Sequence, residues 1–519
     1  MDQVASTTRT VWNPDKFRLR RLVERLVEMD EIEVLSEPVA LSEMSPIIEN
    51  TKKGVLFKKA GPEQHEVVGA VSASRSRLAA AFGVPEAKMR EEFLRRQANP
   101  QKTFVVPTSE APVQEIVLTG DQIDMYKLPF HVQHEYDGGP YITSGNDFII
   151  DPVSKRSNVG CRRLMLRGTK SAGVDLNAPS DLRAIYQRAV AKGEKLPVAY
   201  TVGSHPADFL AALAVTPPLD ELHVIGGVRG APVPVVKCRT IDVFVPADAE
   251  LVLEGYLDPR GLVEPEGPYG EYIGYYGMLK RNPVFHLTAI TRRRDALFQT
   301  VTIGGKYVGR TDTAQLGAAK TEAAVWAALR QAIREPVAVC CTGSSGGMYN
   351  VRLSLKQRYP GEPRNAIAAV FCSTADVKHV IVVDEDVDVF SDEQIDWALA
   401  TRFQADRDLV IASGFRAVPL DPSLAGSRTG AKAGFDCTKP FGAGSSFDFV
   451  VPEPPVLPQR PRRSVEAVLT EGPATYLDLM AALGTRDGRE ILPILEKLYA
   501  EGRLARLDDG RYTLARPRA

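Results

Sequence analysis

Apolar residues recur at helical spacing early in the chain. In KFRLRRLVERLVEMDEIEVLS, residues 16–36, Leu19, Leu22, Val23, Leu26 and Val27 share one face, and the pattern then shortens to a strand from Ile32 to Leu35. VLFKKA and EVVGAV predict further strands, and RSRLAAAFGVPEAKMREEFLRR predicts two helices parted at Gly83 and Pro85. Together they predict an α/β unit closing near Asn99 and Pro100, within a first domain over 1–110.

From 101 to 310 the rhythm is that of strands. FVVP, DFIID, RLMLRG, PVAYTVG, HVIGGV, VPVVKCRTIDVFV, VFHLTAITR and LFQTVTIGG alternate with Gly, Pro, Asp and Asn turns, with helices near 181–192 and 206–214. A barrel-like β domain over 111–310 follows. Residues 311–448 alternate helices such as TEAAVWAALRQAI and DEQIDWALATRF with strands such as HVIVVD, as in an α/β layer. FVVPEPPVLPQRPRR, 449–463, reads as an extended proline-rich linker. Residues 464–519 hold three helical stretches and RLARLDDGRYTLA with an Asp-Gly hairpin turn, the outline of a winged helix. The expected fold class is α+β and multidomain.

Composition adds limits. A chain of 519 residues exceeds what one core fills. Its 44% hydrophobic and 25% charged content, with a formal net charge of −1, provides no global basic field for nucleic acid or an anionic membrane. The N-terminus lacks an apolar leader and no run of about 18 apolar residues occurs, which predicts a cytoplasmic protein. Cysteines 161, 238, 340, 341, 372 and 437 form no CxxC pair, so reduced buried thiols are expected. The histidines show no metal-ligand spacing, and GSSGG, 343–347, lacks the lysine of a nucleotide loop.

Three stretches can carry chemistry. In EGPYGEYIGYYG, 266–277, Pro268 and its flanking glycines preclude a regular helix, so a turn or kinked strand can aim Glu266 and Glu271 into one cavity. Repulsion there raises one pKa and suits that carboxyl to donate a proton; two solvated surface glutamates are the plain alternative. In SGNDFIIDPVSKRSNVGCRRLMLRG, 144–168, two strands flank a turn, with Asn158 and Arg163 five apart. The guanidinium can hold a glutamate at rest and a substrate carboxylate at work, and Asn158 offers a neutral oxygen ligand; a surface ion pair is the alternative. In the third stretch, 217–256, Glu221 opens an expected strand that turns at Gly226 and Gly227.

In this order and at these separations the stretches resemble the UbiD family of decarboxylases, which use prenylated flavin mononucleotide. The resemblance spans about 15–445 and rests on LRRLVERLVEMDEIEVL, NVGCRR, VGSHPADFLAA, DELHVIGGVRGAPVPVVKC, VPADAELVLEG, EGPYGEY, KHVIVVDEDVDVF, WALATRF and GAKAGFDCT. It implies a split β-barrel flavin-binding domain over 111–310, an α/β oligomerisation domain over 311–448, and a homodimer or larger homo-oligomer. Arg163, Glu266 and Glu271 fall on the family's catalytic set, with Glu271 as proton donor and Arg163 paired to Glu266 near the substrate carboxylate. Asn158 and Glu221 fall on two of three ligands of a divalent metal, manganese or magnesium, that ties the flavin phosphate, with potassium as a further ion. The third position, a histidine in many members, falls on Asp181, or on Ser180 if the gap shifts; a carboxylate keeps the site suited to a hard cation. Asn158, Val159, Gly160, Cys161, Arg162 and Arg163 line the cofactor in this reading, and Lys378 matches a lysine near its phosphate.

The implied reaction is reversible decarboxylation of an aromatic, heteroaromatic or α,β-unsaturated acid, releasing carbon dioxide. The carbanion left behind needs an electron sink that side chains supply poorly, hence the flavin, furnished by a flavin prenyltransferase. Tyr272, Tyr275 and Tyr276 are expected to anchor the turn by packing. TIGGKYVGRTDTAQLG, 302–317, stands where relatives commonly carry a proline-rich loop, and offers Lys306, Tyr307 and Arg310 to a second polar or anionic group on the substrate. The competing class is a ligand-sensing protein that binds DNA through the C-terminal winged helix. From Arg460 onward basic residues barely outnumber acids, and Ile491, Leu492, Ile494, Leu495 and Leu498 suit the third helix to packing, which argues against nucleic acid.

Overall fold

Helix α1 (Leu19–Glu28) forms where the apolar face repeats and buries Leu19, Leu22, Val23 and Leu26. These side chains meet Ile32, Leu56 and Val68 of a sheet built from β1 (Ile32–Val39), β2 (Gly54–Ala60) and β3 (His65–Gly69). Helices α2 (Arg75–Phe82) and α3 (Met89–Gln97) follow, and Gly83 ends α2 at a left-handed φ of 70°. In this computed structural model the described residues are 12–214, 219–374, 376–442, 447–459 and 461–515. Arg460 and the polar stretch 1–11 lie outside them.

The central strands close into a barrel. Strands β4 (Tyr141–Ile150), β5 (Ser157–Gly168), β6 (Ser171–Val174), β7 (Leu196–Val202), β8 (Leu251–Leu257) and β9 (Val284–Arg292) follow one another around the ring as β8-β7-β4-β5-β6-β9, and β9 pairs back with β8. Alternation along β5 turns Leu164 inward with Tyr200 and Leu253, while Val159 and Cys161 face outward with Phe148. Helix α4 (Asp181–Lys192) sends Leu182, Ile185 and Tyr186 into the inner cluster. Helices α5 (Pro206–Leu213), α6 (Glu221–Arg229) and α7 (Asp312–Ala332) supply Leu210, Ile225 and Leu316 to the outer one.

The segment at Glu221 corrects an expectation: it is α6, not a strand turning at Gly226 and Gly227. Asp220 starts the helix by accepting the Leu222 N–H at 3.1 Å. Leu222, Val224, Ile225 and Val228 are all buried, and a short apolar run of that kind reads the same for a buried strand and a buried helix. Gly227 permits a close crossing, since a Cβ there would lie 2.9 Å from the Asn99 carbonyl oxygen. At the far end Arg229, buried, donates to Asp208 at 2.7 Å twice and to Asp248 at 2.8 Å.

After the barrel, β10 (Phe298–Thr300) runs parallel to β3 and completes the first sheet as β1-β2-β3-β10. Arg18 reinforces that return, Nε donating to Glu250 at 3.0 Å and Nη2 to Asp295 at 2.8 Å. The following layer orders its strands β11 (Pro336–Cys341), β12 (Asn350–Leu355), β13 (His379–Asp384), β15 (Thr429–Asp436) and β14 (Leu409–Arg416), with α8 (Glu362–Ser373) and α9 (Asp392–Arg402) alongside. Contacts divide the chain at Thr438 and Lys439. The second unit holds α10 (Val465–Glu471), α11 (Tyr476–Leu483), α12 (Leu492–Ala500) and the hairpin β16 (Leu504–Arg506) and β17 (Tyr512–Leu514). Ile491, Leu495 and Leu498 are buried there, whereas Leu492, expected to pack, is 53% exposed. Among the described residues no helix is long and apolar enough to cross a membrane.

Replacing Arg229 with methionine leaves Asp208 and Asp248 buried without their cation. A loss of about 3–5 kcal/mol is expected, read as a lowered denaturation midpoint; an unchanged midpoint would show the triad to be dispensable.

Candidate active site

Arg163 leaves β5 on its outward face and meets the turn that follows the ladder strand Glu264–Glu266. Its Nε and Nη2 donate to the two oxygens of Glu266 at 2.9 and 3.1 Å, and Nη1 reaches both oxygens of Glu271 at 3.4 and 3.5 Å. The guanidinium lies 4.2 Å from the Tyr269 ring centroid, which fixes its plane. Glu266 has no exposed surface and Glu271 is 4% exposed, so both carboxyls are removed from bulk water. The turn contains a cis Gly267–Pro268 bond, and its Gly270 N–H donates to Asp137 at 2.9 Å. Gly277 passes so close that a Cβ there would lie 2.5 Å from Glu271 Oε1. The structure brings Arg163, Glu266 and Glu271 together, with Arg163 paired to Glu266 and shared with Glu271.

Three partners were not legible beforehand. Asp175 pairs with Arg163 Nη2 at 3.1 Å, Lys280 Nζ lies 3.3 Å from Glu271 Oε1 and 3.6 Å from Asp175, and Asn282 donates to Glu266 at 3.1 Å. Lys280 and Asn282 arrive because Lys280–Asn282 pairs antiparallel with Glu264–Glu266, bringing Lys280 opposite Glu266. A ladder closed by a long irregular turn leaves no periodic trace. Burial alone would push the Asp175 carboxyl up, but Arg163 and Lys280 hold it below its ordinary value.

A second cluster gathers where β5 begins. Glu221, at the start of α6, accepts from Asn158 Nδ2 at 2.8 Å and from the Val159 N–H. Burial pushes the Glu221 carboxyl up to about 7; Asp181 and Asp147 add to that rise, while the Val159 and Asn158 donors oppose it. Ser180 caps α4 by accepting the Arg183 N–H and also accepts from Arg162 Nη2 at 3.2 Å, which puts Asp181 in the first turn. Arg162 lies 3.9 Å from Asp147, a fully buried carboxylate neither of whose oxygens has a hydrogen-bond donor. Among the described residues no three His, Cys, Asp or Glu side chains converge to hold a metal. Asn158 and Glu221 do meet, and the Asp181 charge is near enough to act on Glu221; an amide and carboxylates are ligands of the kind hard cations take, beside a helix N-terminus and a guanidinium suited to phosphate. Arg163 and Asn158 are five residues apart, about 17 Å along a strand rising about 3.3 Å per residue.

The remaining candidates are dispersed. Gly160 lies between Asp147 and Arg162, and Cys161, its thiol pushed up to about 12 by burial, stays protonated and unreactive. Lys378 is engaged by Asp421 and Ser423, each at 2.7 Å, on the α/β layer. Tyr307 and Arg310 line a cleft of about 60 Å³ with His131, Gln133, His134 and Thr302. Its wall at Gly304 backs onto the turn, since a Cβ there would lie 3.2 Å from the Glu271 carbonyl oxygen. Arg310 and Lys306 both approach the Tyr307 ring, at 4.6 and 5.5 Å. Of the three tyrosines expected to pack, Tyr272 joins the core and Tyr276, though 42% exposed, sets its ring edge-on to Tyr136 and His134, whereas Tyr275 is 62% exposed. Tyr276 also accepts the Tyr136 N–H at 3.0 Å.

The chain matches two family profiles: UbiD, the 3-octaprenyl-4-hydroxybenzoate carboxy-lyase Rift-related domain, over 105–307, and UbiD_C, the C-terminal domain of that carboxy-lyase, over 314–437. The anhydromevalonate phosphate decarboxylase of Methanosarcina mazei is 30% identical over 439 residues, covering 84% of this chain and 99% of the relative. The UbiD-class enzyme HmfF of Pelotomaculum thermopropionicum, solved with FMN, gives a TM-score of 0.80 at 33% identity over 84% of this chain and 97% of that one. An evolved dimeric form of HmfF with prFMN gives 0.76 at 32% identity over 85% and 97%. The apo 3,4-dihydroxybenzoic acid decarboxylase AroY of Klebsiella pneumoniae gives 0.78 at 28% identity over 85% and 98%.

The raised Glu221 carboxyl carries a sign. Between its ordinary value of 4.5 and about 7 the unfolded chain releases a proton that the native protein keeps, so ionisation costs stability as pH rises through that window. In metal-free protein the melting temperature of Glu221→Gln, relative to the parent, is expected to climb across that range and then level. A difference flat with pH would refute the raised value.

Proposed function

The chain belongs to the UbiD family of carboxy-lyases and decarboxylates a carboxylic acid, and we propose that its substrate is an aromatic, heteroaromatic or α,β-unsaturated acid handled with prenylated FMN. The observation that carries this reading is one guanidinium, Arg163, shared by the buried residues Glu266 and Glu271. Glu266 grips the Arg163 fork bidentately and sets its plane. Glu271 holds the opposite edge by longer contacts, so a substrate carboxylate can take that edge while Glu271 turns its oxygen toward the carbon that loses carbon dioxide. Glu271 then delivers the proton, and its burial keeps bulk water from competing. The steps reverse, so carboxylation is open to the same residues.

The donors at the β5 start fit a phosphate tied by a cation. Asn158, Asp181 and Glu221 would hold manganese or magnesium, with Ser180 as the alternative to Asp181, and Arg162 and the α4 N-terminus would face the phosphate. Val159, Gly160, Cys161 and Arg163 would line the ring between the two clusters. When bound, prenylated FMN supplies the electron sink for the departing carboxyl's electron pair. Lys378 would reach that phosphate only by leaving Asp421. HmfF solved with FMN and with prFMN supports the cofactor, and its dimeric form supports a homodimer or larger assembly through 311–448. AroY supports an aromatic acid. The second unit is read as a winged-helix-like module made for protein contact.

Protein co-produced with a flavin prenyltransferase and offered a panel of such acids is expected to release carbon dioxide from at least one, read by mass spectrometry. Glu271→Gln should keep flavin absorbance and lose at least about 10²-fold in kcat; retained turnover would refute the donor assignment. Alanine at both Lys306 and Arg310 should raise KM for substrates with a second polar group, and an unaltered substrate range would remove these residues from recognition.

A further inference from the structure

A carboxyl that donates a proton must be protonated when substrate is bound, yet Glu271 rests against two cations, Arg163 and Lys280. The groups around it are Arg163 from β5, Lys280 from the ladder, Asp175 after β6, Glu266 before the turn, and Tyr269 and Tyr272 on the turn itself. His134 packs on Gly270 beside it. At rest three carboxylates, Glu266, Glu271 and Asp175, face two cations, Arg163 and Lys280, so the cluster carries one negative charge in excess.

We propose that Lys280, bridging Glu271 and Asp175, is a positioning residue that makes protonation of Glu271 depend on substrate binding. The inference rests on the assignment of Glu271 as proton donor. With Lys280 in place, the resting cluster tolerates an ionised Glu271. A substrate carboxylate arriving at Arg163 adds a second uncompensated negative charge to a buried site, and one proton is taken up from water onto Glu271 to restore the balance. That proton passes to the substrate carbon as carbon dioxide leaves, and Glu271 returns to a carboxylate held by Lys280. The lysine keeps its charge throughout. Its side chain is 24% exposed while Glu271's is 5% exposed, so the lysine keeps contact with solvent while the acid does not.

The test compares Lys280→Met, which keeps length and removes charge, with Lys280→Arg, which keeps charge, in cofactor-loaded protein. The alkaline limb of the kcat profile should move up by about 1–3 pH units in the Met variant, which lacks the neighbouring cation, and stay in place in the Arg variant. Calorimetric binding of a non-reacting acid in buffers of different ionisation enthalpy should give about one proton taken up near neutral pH by the parent, and less by the Met variant, whose Glu271 is already protonated. A limb that does not move, or moves equally in both variants, overturns the proposal, as does equal proton uptake in parent and Met variant. If Lys280→Met fails to fold, Lys280→Gln serves in its place. Retained turnover in Glu271→Gln would instead overturn the donor assignment, so the two failures are distinguishable.

Discussion

A guanidinium fixed in the midst of three carboxylates organises this molecule's chemistry. Arg163 binds Glu266, Glu271 and Asp175 from a single strand position, and none of those acids could be buried together without it. The barrel makes the arrangement possible: Arg162 and Leu164, flanking the arginine, are paired to β4, and the turn carrying Glu271 is tied down by Asp137 and Lys280. A lysine in place of Arg163 would bring a point charge without the fork, whereas the planar guanidinium grips both oxygens of Glu266 along one edge and reaches Glu271 along another.

The same strand carries two kinds of site because its side chains alternate. Outward-facing Arg163 serves the turn, while Arg162, one residue earlier, reaches Ser180 and Asp147 on the other face. Neighbouring arginines in the sequence thus belong to different surroundings. The oxygen-rich cluster at Asn158 and Glu221 and the Arg163 cluster are related by the strand itself, which sets the span that any molecule touching both must bridge.

Much of this was legible in the chain. The helical repeat around Leu22 became α1, the strand-rich middle became a closed barrel, and Arg163, Glu266 and Glu271 meet although they are separated by about a hundred residues. What escaped depended on contacts without a local pattern. Glu221 stands on a buried helix whose apolar run suits either secondary structure, and Asp175 and Lys280 are single charges on short segments that become meaningful only once the ladder forms. The exposed Tyr275 escaped as well, since an aromatic after a turn carries no mark of which side it faces.

The first sheet is finished by Phe298–Thr300, more than two hundred residues after β3, and Arg18 is tied to Glu250 and Asp295. During synthesis the amino-terminal segment therefore emerges with an open sheet edge and waits for the whole barrel to be made before its last strand arrives. The first sheet is therefore a long-range construction: its last strand cannot be added until about 230 further residues have been made.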